Sequence, residues 1–168
     1  TFAAAFESLP TGSRPPFGGA LNVVPKSCFQ DKDIEQIHLC LGGPALCRHD
    51  ERRYALCLLD TMIGGGVSSL LFQELREERG LVYNTYSFNS LYDDVGSYGV
   101  YAGFGPQHWA QVWDVLGEVF KGIPELITPD MLERAKNQIK GSLVLSLEST
   151  SNRMTRLARG EMDEGGVV

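Results

Sequence analysis

No apolar run in the sequence approaches the roughly 20 residues a membrane-spanning helix needs, because charged or polar residues interrupt every candidate, Tyr54 to Ile63 included. A membrane span is therefore not expected, and the chain is expected to be soluble. A basic stripe is also missing: 15 Lys and Arg are scattered among 21 Asp and Glu, for a net charge of -6. Nucleic acid is accordingly not an expected partner. Cysteine is sparse, at four residues (Cys28, Cys40, Cys47 and Cys57), and no C-x-x-C spacing occurs. The four are expected to be unpaired thiols, with Cys40 and Cys57 lying inside apolar patterns as small hydrophobes. Free thiols suit a reducing compartment, so a cytoplasmic location is expected, with the mitochondrial matrix and the periplasm as alternatives. Internal repeats and low-complexity tracts are absent. The first residue is Thr1, and the opening stretch has neither a basic start nor a long apolar segment, so no signal peptide is expected and the start fits a piece of a longer chain.

What is present is enough for one core: 168 residues, 43% of them hydrophobic, argue for a single folded unit. Thr1 to about Asp33 carries Pro10, Pro15, Pro16, Pro25 and Gly18-Gly19 without periodicity, which predicts an extended lead-in or linker over 1–33. The folded domain is predicted over 34–168. Ile34 to Leu41 half-alternates and predicts a strand closed by Gly42-Gly43-Pro44. From His49 to Ile63 the apolar residues Tyr54, Cys57, Leu58, Leu59, Met62 and Ile63 recur at helical spacing, with Asp50 and Glu51 where a helix N-terminus favours anions. Gly64-Gly65-Gly66 ends that helix. It is not read as a phosphate loop, because it follows a helix and lacks the Lys-Ser/Thr pair.

Ser68 or Ser69 caps a second helix with Leu71, Phe72 and Leu75 inward and Glu74, Glu77, Glu78 and Arg79 outward, stopped by Gly80. Val82 to Ser90 and Ser97 to Phe104 predict an antiparallel hairpin around Asp93-Asp94-Val95-Gly96, the two aspartates marking a loop tip. Gln107 to Gly122 predicts a helix with Trp109 and Trp113 on its core side. Thr128-Pro129 predicts the start of a long helix through Leu147, and Ser149 to Ser151 re-cap a last one to about Met162. Together these give an α+β fold, a mostly antiparallel sheet with helices layered on one face.

The block from Gly64-Gly65-Gly66-Val67-Ser68-Ser69 through Leu70-Leu71-Phe72-Gln73-Glu74-Leu75-Arg76-Glu77-Glu78-Arg79-Gly80-Leu81-Val82-Tyr83 resembles the signature of the second domain of pitrilysin/mitochondrial-processing-peptidase type zinc peptidases. Tyr98 to Gly103, Glu133-Arg134-Ala135-Lys136 and Leu147 to Met154 resemble the same family in the expected order, so the likeness runs from about Glu35 to Met162. The resemblance implies one half of the processing-peptidase fold, in which two related α+β halves close over a peptide and the first half carries an inverted zinc motif, H-x-x-E-H. That motif is absent here. None of His38, His49 and His108 has a second histidine four residues away with a glutamate between, so no metal ligand is expected in this chain and zinc is expected in the missing half.

What the resemblance implies for this half is an arginine and a tyrosine reaching across the cleft, at the positions of Arg76 and Tyr83. A guanidinium and a phenol hydroxyl can both hydrogen-bond an oxyanion developing on a substrate carbonyl. By spacing alone, Arg76 belongs to a solvated helical face and Tyr83 is one of several strand aromatics; the family likeness reverses that reading. The expected function is thus the substrate-binding, transition-state-supporting half of a zinc endopeptidase, inactive alone. Its expected partners are a zinc-bearing sister half, a peptide substrate and other copies of itself. Two alternatives stand beside it: a non-catalytic scaffold subunit of the same fold, and a peptide-binding module using an exposed strand edge.

Overall fold

The computed structural model describes Glu7, Ser8, Pro10, Gly12 and residues 23–164. Most of the expected lead-in, with Pro15, Pro16 and Gly18-Gly19, lies outside the described residues, and residues 23–36 contain no helix or strand. The elements then follow as strand β1 (Ile37–Ala45), helix α1 (Arg53–Gly64), a wide π-type helical turn (Phe72–Glu77), strands β2 (Asn84–Leu91) and β3 (Gly96–Phe104), and helices α2 (Trp109–Leu126), α3 (Pro129–Ser146) and α4 (Thr150–Glu164). A tight turn at Pro106–His108 leads into α2.

The sheet is antiparallel throughout, in the order β1-β3-β2, with β3 central. Its register puts Ile37 opposite Phe104, Leu39 opposite Ala102 and Leu41 opposite Val100, so one face of the pleat is apolar. On that face Val100, Ala102 and Phe104 are buried against Ile63 of α1, Leu71 and Leu75 of the helical turn, and Val112, Leu116 and Val119 of α2. The opposite face, with Cys40, Tyr86 and Phe88, is exposed. Helices therefore cover one side of the sheet, the expected α+β arrangement. No helix among the described residues is long and apolar enough to cross a membrane.

Two glycines set the spacing around the candidate site. Gly64 ends α1 against β2 so closely that a Cβ there would lie 2.2 Å from the Ser87 backbone nitrogen. Gly80 has φ of 61°, the left-handed conformation that lets the chain leave a helical turn and start back as a strand.

Several sequence expectations need correction. β1 does not stop at Gly42 but continues through Gly43 and Pro44, which pair with Tyr98 and Ser97; an edge strand tolerates a proline whose missing donor faces away from the ladder. α1 begins at Arg53, not near His49: Asp50 instead accepts the Arg52 backbone N–H at 2.9 Å and forms a turn before the helix. α2 runs on past Gly122 to Leu126, with Pro124 in its last turn. Trp109 and Trp113 are not core, being 46% and 49% exposed. They stack on each other at 5.9 Å along one shoulder of α2, while the buried stripe is Val112, Val115, Leu116 and Val119. Cys40 and Cys57 are exposed free thiols rather than buried hydrophobes, Cys40 because it alternates onto the open sheet face.

Candidate functional site

Arg76 and Tyr83 flank one turn. Leu71 and Leu75, both 0% exposed, anchor the helical segment before it; Leu81 and Val82 are buried after it. Between them Gly80 N–H donates to the Arg76 carbonyl at 3.1 Å and Leu81 N–H to the Leu75 carbonyl at 2.8 Å, closing the turn from its own backbone. Tyr83 N–H donates to the Gly103 carbonyl at 2.8 Å, so the residue just before β2 is already tied to the central strand. This backbone thus presents two exposed side chains, Arg76 and Tyr83, the latter 58% exposed. No hydrogen bond or ring contact joins the two to each other.

The charges around Arg76 are arranged unequally. Arg79 pairs with the Glu74 carboxylate, donates to the Glu74 carbonyl at 2.9 Å and lies 3.8 Å from Glu78. The hydrogen bond to Glu74 pushes the Arg79 guanidinium up from its usual range. Arg76, by contrast, forms no ion pair among the described residues, and its guanidinium carbon lies over the Phe72 ring, 5.1 Å from the centroid. The result is a guanidinium whose donors are not committed to a carboxylate. Two shallow hollows, one lined by Thr61, Ser68, Met131 and Arg134 and the other by Glu74, Glu118 and Glu125, include neither Arg76 nor Tyr83. Both side chains therefore lie outside these two hollows, on exposed surface.

The histidines are dispersed and each has local company. His38 Nδ1 and the Tyr101 hydroxyl are 2.6 Å apart, His49 Nε2 lies 3.6 Å from Asp93, and His108 Nδ1 lies 3.4 Å from Gln111 Oε1. Among the described residues no three His, Cys, Asp or Glu side chains group as metal ligands would. The described residues therefore do not fit a zinc site. Gly64-Gly65-Gly66 is a helix stop, with Gly65 N–H donating to the Thr61 carbonyl at 3.2 Å and the Gly65 carbonyl accepting from Gln138 of α3 at 3.0 Å.

Sequence reasoning missed two features. The Phe72 platform was encoded in the four-residue spacing from Phe72 to Arg76, which sets side chains side by side on a helical segment. On the open sheet face, Tyr86 stacks on Tyr101 at 4.8 Å and Phe88 lies beside Tyr86, an aromatic strip foreshadowed only by the alternation of Tyr86 and Phe88.

Comparison with known proteins bears on the family of this chain. The sequence pattern described as the peptidase M16 inactive domain matches residues 4–139. An uncharacterized zinc protease of Streptomyces coelicolor is 45% identical over 132 residues, covering 78% of this chain and 29% of that protein. An uncharacterized zinc protease of Bacillus subtilis is 42% identical over 132 residues, covering 78% and 32%. The chain spans about a third of the length of these relatives. Among solved structures, a protease from Helicobacter pylori superposes with a TM-score of 0.68 at 25% identity, over 77% of this chain and 32% of that one. A peptidase M16 inactive domain from Pseudomonas fluorescens superposes with a TM-score of 0.57 at 28% identity, over 65% and 27%. With the fold, the order of motifs and the family pattern in agreement, this chain belongs to the pitrilysin/processing-peptidase (M16) family of zinc peptidases and is an inactive domain of that family.

Proposed function

We propose that residues 34–168 form the substrate-cleft half of a zinc endopeptidase, inactive alone, in which Arg76 and Tyr83 face a peptide held against a zinc-bearing sister half. The observation that carries this reading is the guanidinium of Arg76, uncommitted to any carboxylate among the described residues, and an exposed Tyr83 at the other end of the same turn, with buried leucines on both sides. The sister half, when its zinc is bound, supplies metal-assisted hydrolysis; this chain positions the substrate and stabilises charge on it. Arg76 donates to a substrate carbonyl in the ground state, and the Tyr83 hydroxyl donates most strongly when that oxygen gains negative charge. The substrate is an extended peptide, residues 1–33 serve as the lead-in, and the four free thiols suit a cytoplasmic setting.

The test is steady-state kinetics of the two-half enzyme. Tyr83→Phe should lower kcat more than it raises KM, by on the order of 10²- to 10³-fold as expected for loss of one oxyanion donor. Arg76→Ala should also weaken activity, with a larger share in KM. Wild-type kinetics for both variants, with circular dichroism unchanged, would remove these residues from the reaction and leave this half as a scaffold.

A further inference from the structure

We infer that Phe72 is a positioning residue for Arg76, a ring that orients the guanidinium without neutralising it. The inference rests on the functional reading above and extends it to a side chain outside the matched pair. Leu71 and Leu75 are fully buried and fix the rotation of the segment, so the next position along each, Phe72 and Arg76, is carried to the same neighbouring face. There the Arg76 guanidinium carbon lies 5.1 Å from the Phe72 ring centroid. Phe72 is half-buried and does not belong to the buried core cluster, so the ring is not needed to fill the interior.

The physical value of the ring lies in what it leaves free. An exposed arginine has much rotamer entropy to lose each time it binds, and holding it beforehand lessens that loss. A carboxylate would hold it too, but would occupy two donors and cancel its charge. An aromatic face attracts the cation through its quadrupole and takes none of the N–H groups as a conventional acceptor would. Two of the nearby acids are engaged elsewhere: Arg79 holds Glu74 and lies within ion-pair distance of Glu78. Arg79 thus takes up the Glu74 and Glu78 carboxylates and Phe72 holds Arg76, which together preserve a charged, oriented and uncommitted guanidinium on the surface.

Two measurements test this. In the two-half enzyme, Phe72→Leu should reduce kcat/KM by about 3- to 10-fold, and Phe72→Tyr, which keeps the ring, should restore activity to within about twofold of wild type. In an Arg76→Ala background, Phe72→Leu should add no further loss. Separately, in the full 168-residue chain, NMR should show the Arg76 side-chain protons moved upfield by the ring, with that displacement kept in Phe72→Tyr and gone in Phe72→Leu. Wild-type kinetics for Phe72→Leu, or an equal loss in the presence and absence of Arg76, would overturn the inference while Arg76 kept its role. Absence of the upfield displacement from the wild-type chain would overturn it too. An inert Arg76→Ala would instead bring down the functional reading and this inference together.

Discussion

Asp60, near the end of α1, shows how much a single polar side chain contributes here. Its carboxylate accepts from Ser87 Oγ at 2.5 Å and from Asn89 Nδ2 at 2.8 Å, and its backbone carbonyl accepts from Ser87 Oγ at 3.1 Å, so one residue latches the helix to β2. Burial, reinforced by the negative charge of Asp60, pushes the neighbouring Tyr98 phenol up from its ordinary value, against a lowering contribution from Ser87. Asp60→Ala should strand the half-buried donors of Ser87 and Asn89 and cost about 1–3 kcal/mol, read as a lower urea midpoint with unchanged slope. A midpoint equal to wild type would show that water replaces the carboxylate without loss. Nothing in the sequence marked Asp60, because its partners are 27 and 29 residues away. The roles proposed for Arg76 and Tyr83 rest on the family likeness, since their types and spacing alone describe any solvated helix followed by any strand.

At the scale of elements, local chemistry was readable where it was self-contained. Thr128 is the N-cap of α3: its Oγ1 accepts the Met131 N–H at 3.3 Å, with Pro129 at the first helical position. Thr128→Ala should therefore cost about 1 kcal/mol while Thr128→Ser costs much less, a difference that thermal denaturation of the two variants should resolve. Equal melting temperatures for both would show that the proline alone sets the helix start. Gly80 likewise announced the end of its helical turn and has the positive φ that the role requires. Elements that depend on neighbours were less readable. β1 passes through Gly42-Gly43-Pro44 because β3 supplies a partner strand all the way to Gly96, and a local glycine-proline signal cannot register that support. The tryptophans of α2 satisfied helical periodicity, yet their position on the shoulder was fixed by which side of the helix met the sheet.

At the scale of the whole molecule, the described surface is not uniformly polar. Toward the end of α3 and along α4, Leu143, Val144, Leu145, Met154 and Leu157 are 51% to 66% exposed. Among the described residues, α4 contributes none to the buried core. Apolar surface of this kind favours association, so the isolated chain is expected to self-associate, with sedimentation showing a rising average mass as concentration increases. Leu145→Asp should shift that equilibrium toward monomer. A strict monomer at high concentration in the unaltered chain would rule the idea out.

By itself the sequence determined the class of fold, the order of its helical segments around the hairpin, and the family, because these follow from periodicity, turn residues and a contiguous motif, all written within short stretches of chain. Only the tertiary structure decided which side of each amphipathic element is buried, which strand is central, and which acid pairs with which arginine. Arg79, not Arg76, pairs with Glu74, and the Arg76 guanidinium carbon lies over the Phe72 ring while Leu71 and Leu75 are buried. That choice among neighbouring charges of similar type is made by packing geometry, and one-dimensional spacing carries no record of it.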